Sequence, residues 1–493
     1  MKFQQKPCHF LRAVARETSG EEQTLEVRLP ESMPDIGRVL AAWGQPLIRS
    51  KEWRSGSMSL SGGVMAWVLY APEDGTDPRS IEAWIPFQRS WDFQDSGREG
   101  TLRMACSLAA MDARSLSARK LMLRAGLSFF AEALEPSQEN LYEPPKLPED
   151  IQLLEEDYPV TLPKEAGEKV FTLDDDLELP ADLGGGEKLI HYGLHVEVTD
   201  QKVMGDKAVF RGSALGHVLL RNREGQLRAW DFELPFSQYA QLDREYGPEA
   251  TVDLVTAITN LEMELQEEGR LRLKAGVVGQ YLVYVRSVLR LVLDAYSPNR
   301  EVKPELTVLS LPALLEQTDQ TITAQRPWDQ ETREPVDVSF LLPQPAVSRE
   351  GERWMLDLSG HFTAVSTGPD GTVRAEGYKW EADKEIPAGK DAKLFARAQI
   401  SGRPKAAGVE LRCDVRTTMT FTTETQIPMV SALELGELLP PDPNRPSLIL
   451  RRCGGETLWE LAKHSATTVE AICEANNLTA DPEPNRLLLI PVP

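Results

Sequence analysis

Only two of the six histidines stand close enough in sequence to suggest a shared ligand, His191 and His195. A four-residue spacing would put two imidazoles on one face of a helix, where zinc is often held. The surrounding string LIHYGLHVEV reads instead as a strand, in which positions i and i+4 lie about 13 Å apart. No metal ligand is therefore assigned. The strings G-x-S-x-G, H-E-x-x-H, the phosphate loop and the dinucleotide fingerprint are all absent. Acidic residues total 76, so acidic pairs are expected by composition, and none stands apart. Cys8, Cys106, Cys413, Cys453 and Cys473 are odd in number and never form a C-x-x-C pair. They read as reduced thiols, with Cys453 and Cys473 as packing groups. An enzyme is the least supported class, and no catalytic residue or cofactor is expected.

Richer local chemistry begins at Ser447. Two strings pair a threonine with a glutamate three residues later, Thr457 with Glu460 and Thr467 with Glu470. That spacing is a capping box, which satisfies free N–H groups at a helix start. The first helix would bury Leu458, Leu461 and Ala462, and the second Val469, Ile472 and Cys473. Leu448 to Leu450 and Leu487 to Ile490 read as short strands on either side. The result is a β-α-α-β unit over residues 447–493. The proline-rich entry Pro440 to Pro446 predicts a flexible tether before it.

The elements upstream are strands, and they repeat. Gly62 and Gly212 are 150 residues apart, as are Gly75 and Gly225, and Gly126 and Gly276. Pro86-Phe87 and Pro235-Phe236 keep nearly the same offset. A fainter third copy places Gly360 in register and a turn at Asp370-Gly371, without the Pro-Phe pair. Inside each copy the period is two: Val409, Leu411, Cys413 and Val415 alternate with charged residues. Val64 to Tyr70 is apolar on both faces and reads as a covered central strand. SARKLMLRAGLSFFAEAL is assigned to strand because its repeat partner, from Arg270, is rich in β-branched residues. Pro34 to Trp43 is expected to open as a short helix. The proline- and acid-rich stretch from Glu135 to Glu168 and the run Asp174-Asp175-Asp176 read as solvated linkers or edge segments. The fold class is mainly β: tandem antiparallel, sandwich-like modules over residues 1–140, 165–300 and 335–435, then the α+β unit.

With 54 lysines and arginines, the net charge is −22, and no basic patch is evident. Such a surface repels phosphate backbones, which argues against nucleic acid as a partner. MKFQQKPCHFLRAV lacks the apolar core of a secretory signal, and no window is long and apolar enough for a membrane span. A cytoplasmic location is the expectation.

The series GETLWELA, TTVEAICEANNL and LLLIP resembles a LysM domain, two helices against a two-stranded sheet. That resemblance implies binding of peptidoglycan, chitin or another N-acetylglucosamine-containing glycan in a shallow groove. Carried onto matching positions, it implicates Gly455, Glu456, Thr457 and Leu458 on one side, and Asn477 and Leu478 on the other. Glu456 stands where the family has aspartate, and Asn485-Arg486 replaces glycine-glutamine; asparagine tolerates left-handed backbone. Trp459, about 100° around the helix from Leu458, either packs against the following β-strand or is the exposed anchor for a protein partner.

The repeated β modules, LPESMPDIGRVL (Leu29 to Leu40), the Pro-Phe landmark and the C-terminal unit resemble the SPOCS-domain (SipL-like) spore coat assembly proteins of clostridia. The resemblance implies a non-catalytic assembly factor of the mother-cell cytoplasm, at the forespore surface or spore coat. Its LysM unit would bind the coat morphogenetic ATPase or another coat protein. The alternative is a glycan-binding protein of the cell wall or spore cortex.

Overall fold

Apolar residues at every second position, with glycines of positive φ at the turns, fold nearly the whole chain into antiparallel strands. The structure is a computed structural model that describes residues 1–492 apart from 55, 94–97, 184–185, 329–334, 370, 388, 390 and 441–445. A first set of strands comprises β1 (Gln4–Arg28), β2 (Ile36–Arg54), β3 (Ser57–Pro72), β4 (Arg79–Asp92), β5 (Thr101–Ser117) and β6 (Lys120–Glu143). They form two sheets, β1-β6-β5 and β2-β3-β4. The second set is β7 (Gln152–Glu178), β8 (Gly186–Asn222), β9 (Leu227–Tyr246), β10 (Ala250–Gln266) and β11 (Arg270–Tyr296), in sheets β10-β11-β7 and β8-β9. The third is β12 (Arg300–Pro327), β13 (Pro335–Leu341), β14 (Ala346–Glu350), β15 (Arg353–Thr367), β16 (Val373–Pro387), β17 (Lys393–Ala407) and β18 (Glu410–Leu438). Its sheets are β12-β18-β17 and β13-β15-β14, with β16 on β15.

Register makes the repeat visible. Gly126 of β6 lies between Glu22 and Ala110, and Gly276 of β11 between Thr172 and Asn260. Both β5 and β10 slip register at this point, between Leu108 and Ala110 and between Ile258 and Asn260. Gly62, Gly212 and Gly360 each sit opposite a buried aromatic on the next strand, Phe87, Phe236 and Trp380. An added Cβ would meet the Leu47 carbonyl at Gly62 and the Glu197 carbonyl at Gly212, positions again 150 apart. At Gly360 it would meet the Phe340 ring instead. Trp380 thus fills the place of the missing Pro-Phe pair. The turn glycines Gly75, Gly225 and Gly371 all have φ near +80°; Asp370 lies outside the described residues.

Several expectations need correction. Pro34 to Trp43 opens no helix: β2 starts at Ile36 and pairs with buried β3. Register slips at Ile36/Arg38 and Val39/Ala41 break the alternation there, so the strand period was hidden. Val409 is exposed and lies before β18, whereas Leu411, Cys413 and Val415 are buried. The stretch expected as linker or edge contains edge strand β7, whose Asp174 and Asp176 pair with Arg272 of β11. The unit expected over 165–300 therefore begins inside β7, and that over 335–435 leaves out β12.

Nor do the sets hang as separate beads. Cys8 and Phe10 of β1, Leu162 of β7, Leu291 of β11, Leu311 of β12 and Met429 of β18 share one core, drawn from all three sets. At the centre, β5, β10 and β17 contribute Arg103, Asp253 and Arg397. Arg103 bonds Glu132 at 2.8 Å and also pairs with Asp253, which Arg397 holds at 3.0 Å. Gln317 adds a bond to Asp253 at 2.7 Å. Burial alone would raise the Asp253 carboxyl, but Arg397 and Arg103 outweigh it and hold it well below the carboxylate range.

Candidate functional site

The C-terminal unit consists of β19 (Leu448–Arg452), α1 (Leu458–Ser465), α2 (Val469–Asn476) and β20 (Leu487–Pro491), with β19 antiparallel to β20. Thr457 caps α1 as expected: its hydroxyl accepts from Glu460 N at 3.2 Å and Glu460 accepts from Thr457 N at 2.9 Å. The second cap is Thr468, one residue later than expected, accepting from Ala471 N at 3.1 Å. Thr467 is fully buried, and its backbone rather than its hydroxyl is used. Leu458, Leu461, Ala462 and Ile472 form the core with Leu488 and Ile490, and Val469 and Cys473 pack at its edge. Asn485 takes a φ of +69°, so the left-handed position is kept without glycine.

The loop entering α1 meets the loop leaving α2, because Leu458 N donates to Asp481 Oδ1 at 2.8 Å. Gly455, Thr457 and Asn477 are exposed at this junction. Glu456 is partly buried and pairs with Arg451. Leu458 is core, and Leu478 packs on that core. Asp481, which ties the two loops, was missed because sequence order does not show which loop residue faces a free helix N–H.

Trp459 lies elsewhere. Its Nε1 donates to Asp294 Oδ2 at 2.8 Å, and its ring meets Tyr296 edge-on at 4.7 Å between centroids. Lys463 pairs with Asp294 at 2.6 Å, and the Tyr296 hydroxyl donates to Thr467 O at 2.9 Å. Tyr296 belongs to the core of the C-terminal unit. The candidate exposed anchor is thus a docking residue, and the unit is seated on the end of β11 rather than held by a tether alone. Residues 441–445 of the expected tether lie outside the described residues.

A cavity of about 310 Å³ opens where the three sets meet. Trp43 and Trp67 come to it from the first set, and His191, His195 and His217 from the second. His191 and His195 do not act together; His191 meets His217 and Asp337, residues distant in sequence, among the described residues. Asp337 Oδ2 lies 3.2 Å from His191 Nε2, and its Oδ1 lies 2.8 Å from His217 Nε2. On its other side, His217 Nδ1 is 2.6 Å from Asp231 Oδ1. Trp43 stacks on His191 at 4.1 Å. Burial disfavours a charged His217, but Asp337 and Asp231 outweigh it and push the ring up to about 9. At His191 burial wins, and the ring stays below the usual histidine range. Burial, reinforced by Arg403, pulls His195 down to about 4.

Among the described residues no helix is long and apolar enough to cross a membrane. No curated protein and no solved structure matches the chain. Residues 455–491, the unit built on α1 and α2, match the LysM domain family, which points to carbohydrate or peptidoglycan binding by this unit.

Proposed function

We propose that this chain is a non-catalytic binding protein whose β body presents a LysM groove to an N-acetylglucosamine-containing glycan such as peptidoglycan. The polar character of the groove rim carries this reading. Gly455, Thr457 and Asn477 are the exposed groove positions, while Leu458 and Leu478 are drawn into the core. Sugar hydroxyls are recognised by such hydrogen-bonding groups; a protein partner would call for an apolar or aromatic anchor. Docking on β11 uses Trp459 and Lys463, neither of which is among the exposed groove positions. Asn477→Gly tests the groove, because glycine keeps the left-handed backbone while removing the amide. Sedimentation with purified peptidoglycan should fall at least about tenfold in affinity, equivalent to ~1.4 kcal/mol. Full-strength binding by the folded variant, or none by the parent chain, would overturn the reading.

A second reading has its own observation. Leu448, Leu450, Leu487 and Leu489 are exposed on the outer face of the β19–β20 sheet, with Leu450 directly opposite Leu489. A contiguous apolar face of this kind suits a protein. With the resemblance to the SPOCS family, it supports a role in spore coat assembly, with a coat morphogenetic ATPase or other coat protein on the leucine face. Leu450→Asp should then abolish capture of that protein from sporulating cells and leave glycan binding intact. Capture undiminished by Leu450→Asp would remove this reading.

A further inference from the structure

Three side chains from two strand sets converge beside the central cavity with the chemistry of a metal centre. β8 supplies His191 and His217, and β13 supplies Asp337. One ligand atom from each lies within 4.8 Å of the other two. Within this triangle His217 Nε2 and Asp337 Oδ1 are buried and face each other at 2.8 Å as an ion pair, and neither atom has a further hydrogen-bond partner. A bare imidazole nitrogen facing a carboxylate oxygen is costly unless a proton or a metal cation lies between them.

The surroundings favour a metal cation in that place. Asp231 accepts from His217 Nδ1 at 2.6 Å, which directs the other ring nitrogen, Nε2, at Asp337. A carboxylate behind a ligating histidine is the usual support in zinc sites, where it fixes the tautomer and raises basicity. Trp43 stacks on His191 with planes 17° apart and fixes the second ring. Arg403, 3.9 Å from Asp231, is the nearby fixed cation. Against it stand Asp231 and Asp337, so with neutral imidazoles the cluster carries one net negative charge. Zinc–nitrogen and zinc–oxygen bonds of about 2.0–2.2 Å place ligand atoms near 3.3 Å apart at tetrahedral angles. The 2.8 and 3.2 Å separations run to different oxygens of Asp337, and the three ligand atoms lie within 4.8 Å of one another, so the side chains must draw together to reach that spacing.

We propose that His191, His217 and Asp337 form a binding site for a divalent cation of the zinc class, with Asp231 as the positioning residue behind His217. Three protein ligands leave a fourth position open. His191 and His217, together with Arg403, line the cavity, which gives a fourth ligand a route to the ion. Arg403, whose buried Nε and Nη2 have no hydrogen-bond partners, lines the same cavity and suits a water or small anion on the metal. The ion would also bind β8 to β13 and so fasten the second strand set to the third.

The test uses the full chain, stripped with chelator and titrated with Zn²⁺ alone. One zinc per chain should bind and survive dialysis, and the thermal midpoint should rise with zinc concentration. His217→Gln and Asp337→Asn should abolish stoichiometric binding, and Asp231→Asn should weaken it about 10–100-fold. Cobalt substitution of the unmutated chain gives a readout that does not depend on a variant folding. The expected spectrum is the visible absorption of a tetrahedral Co²⁺ centre without a thiolate charge-transfer band. Absence of stoichiometric zinc, unchanged binding in folded His217→Gln, or a thiolate band that moves the ion to a cysteine would each overturn the site.

Discussion

Two buried, ion-paired polar clusters lie near the meeting point of the three strand sets, and they differ in what they leave unsatisfied. In the Arg103–Glu132–Asp253–Arg397 cluster both carboxylates are ion-paired, and Asp253 accepts from Arg103, Arg397 and Gln317. In the His191–His217–Asp337 cluster the paired atoms His217 Nε2 and Asp337 Oδ1 have no further hydrogen-bond partner, and both histidines line a cavity. The first answers each carboxylate with guanidinium groups, as buried charges require, and leaves over only the Arg103 Nε donor. The second keeps unsatisfied capacity, which in a buried site is more readily explained by a ligand than by stability. The cations differ as well. A guanidinium stays charged at any practical pH, whereas an imidazole can shed its proton when its partner is removed.

The largest effect should come from breaking the closed cluster. Asp253→Asn leaves the buried Arg103 and the partly buried Arg397 without their shared anion, at a cost of about 3–5 kcal/mol in urea unfolding at neutral pH. The sign of the pH dependence follows from the depressed folded-state pKa. Asp253 contributes fully above its unfolded pKa of about 3.9, and the contribution is lost as pH falls through the folded value. The gap between the parent chain and Asp253→Asn should therefore narrow below about pH 4. A gap that stays constant to pH 3 would break the assignment of Asp253 as an ionised anchor.

Next in size is Tyr296→Ala, which removes an aromatic from the core of the LysM unit and the bond to Thr467 O. A loss of about 2–4 kcal/mol, local to the docking of that unit, is expected. Limited proteolysis should release a fragment beginning near Ser447 from the variant while the parent chain resists. Release at the same rate from both would mean that the docking on β11 contributes little.

Asp337→Asn sharpens the contrast between clusters. In chelator-treated protein it should cost about 1–3 kcal/mol, less than Asp253→Asn, because His217 can become neutral. Equal losses in parallel urea titrations would erase the distinction drawn here. The smallest effects compare neighbouring threonines: Thr468→Ala loses a helix cap at about 1 kcal/mol. Thr467→Val deletes a buried hydroxyl without a partner and should be neutral within about 0.5 kcal/mol. Thermal melts of the two variants would distinguish the true cap, and a larger loss in Thr467→Val would reverse the assignment.

What the sequence determined by itself was whatever depends on neighbours in the chain. Strand alternation, the turn glycines, the 150-residue register, the Thr457–Glu460 box and the LysM resemblance all rest on short spacings or on repetition, and the structure carries them. Failures began where one residue changes a face: the register slips in β2 hid a strand, and the second cap fell on Thr468 rather than Thr467. Only the tertiary structure decided the central cluster and the seat of the LysM unit. Asp337 is 146 residues from His191, and Trp459 is 165 from Asp294. No local period encodes such pairings, because they arise from the packing of whole sheets around a shared core. The same physics turned Trp459 from a candidate surface anchor into a docking residue: helix geometry set its direction, and only the position of β11 determined what it would meet.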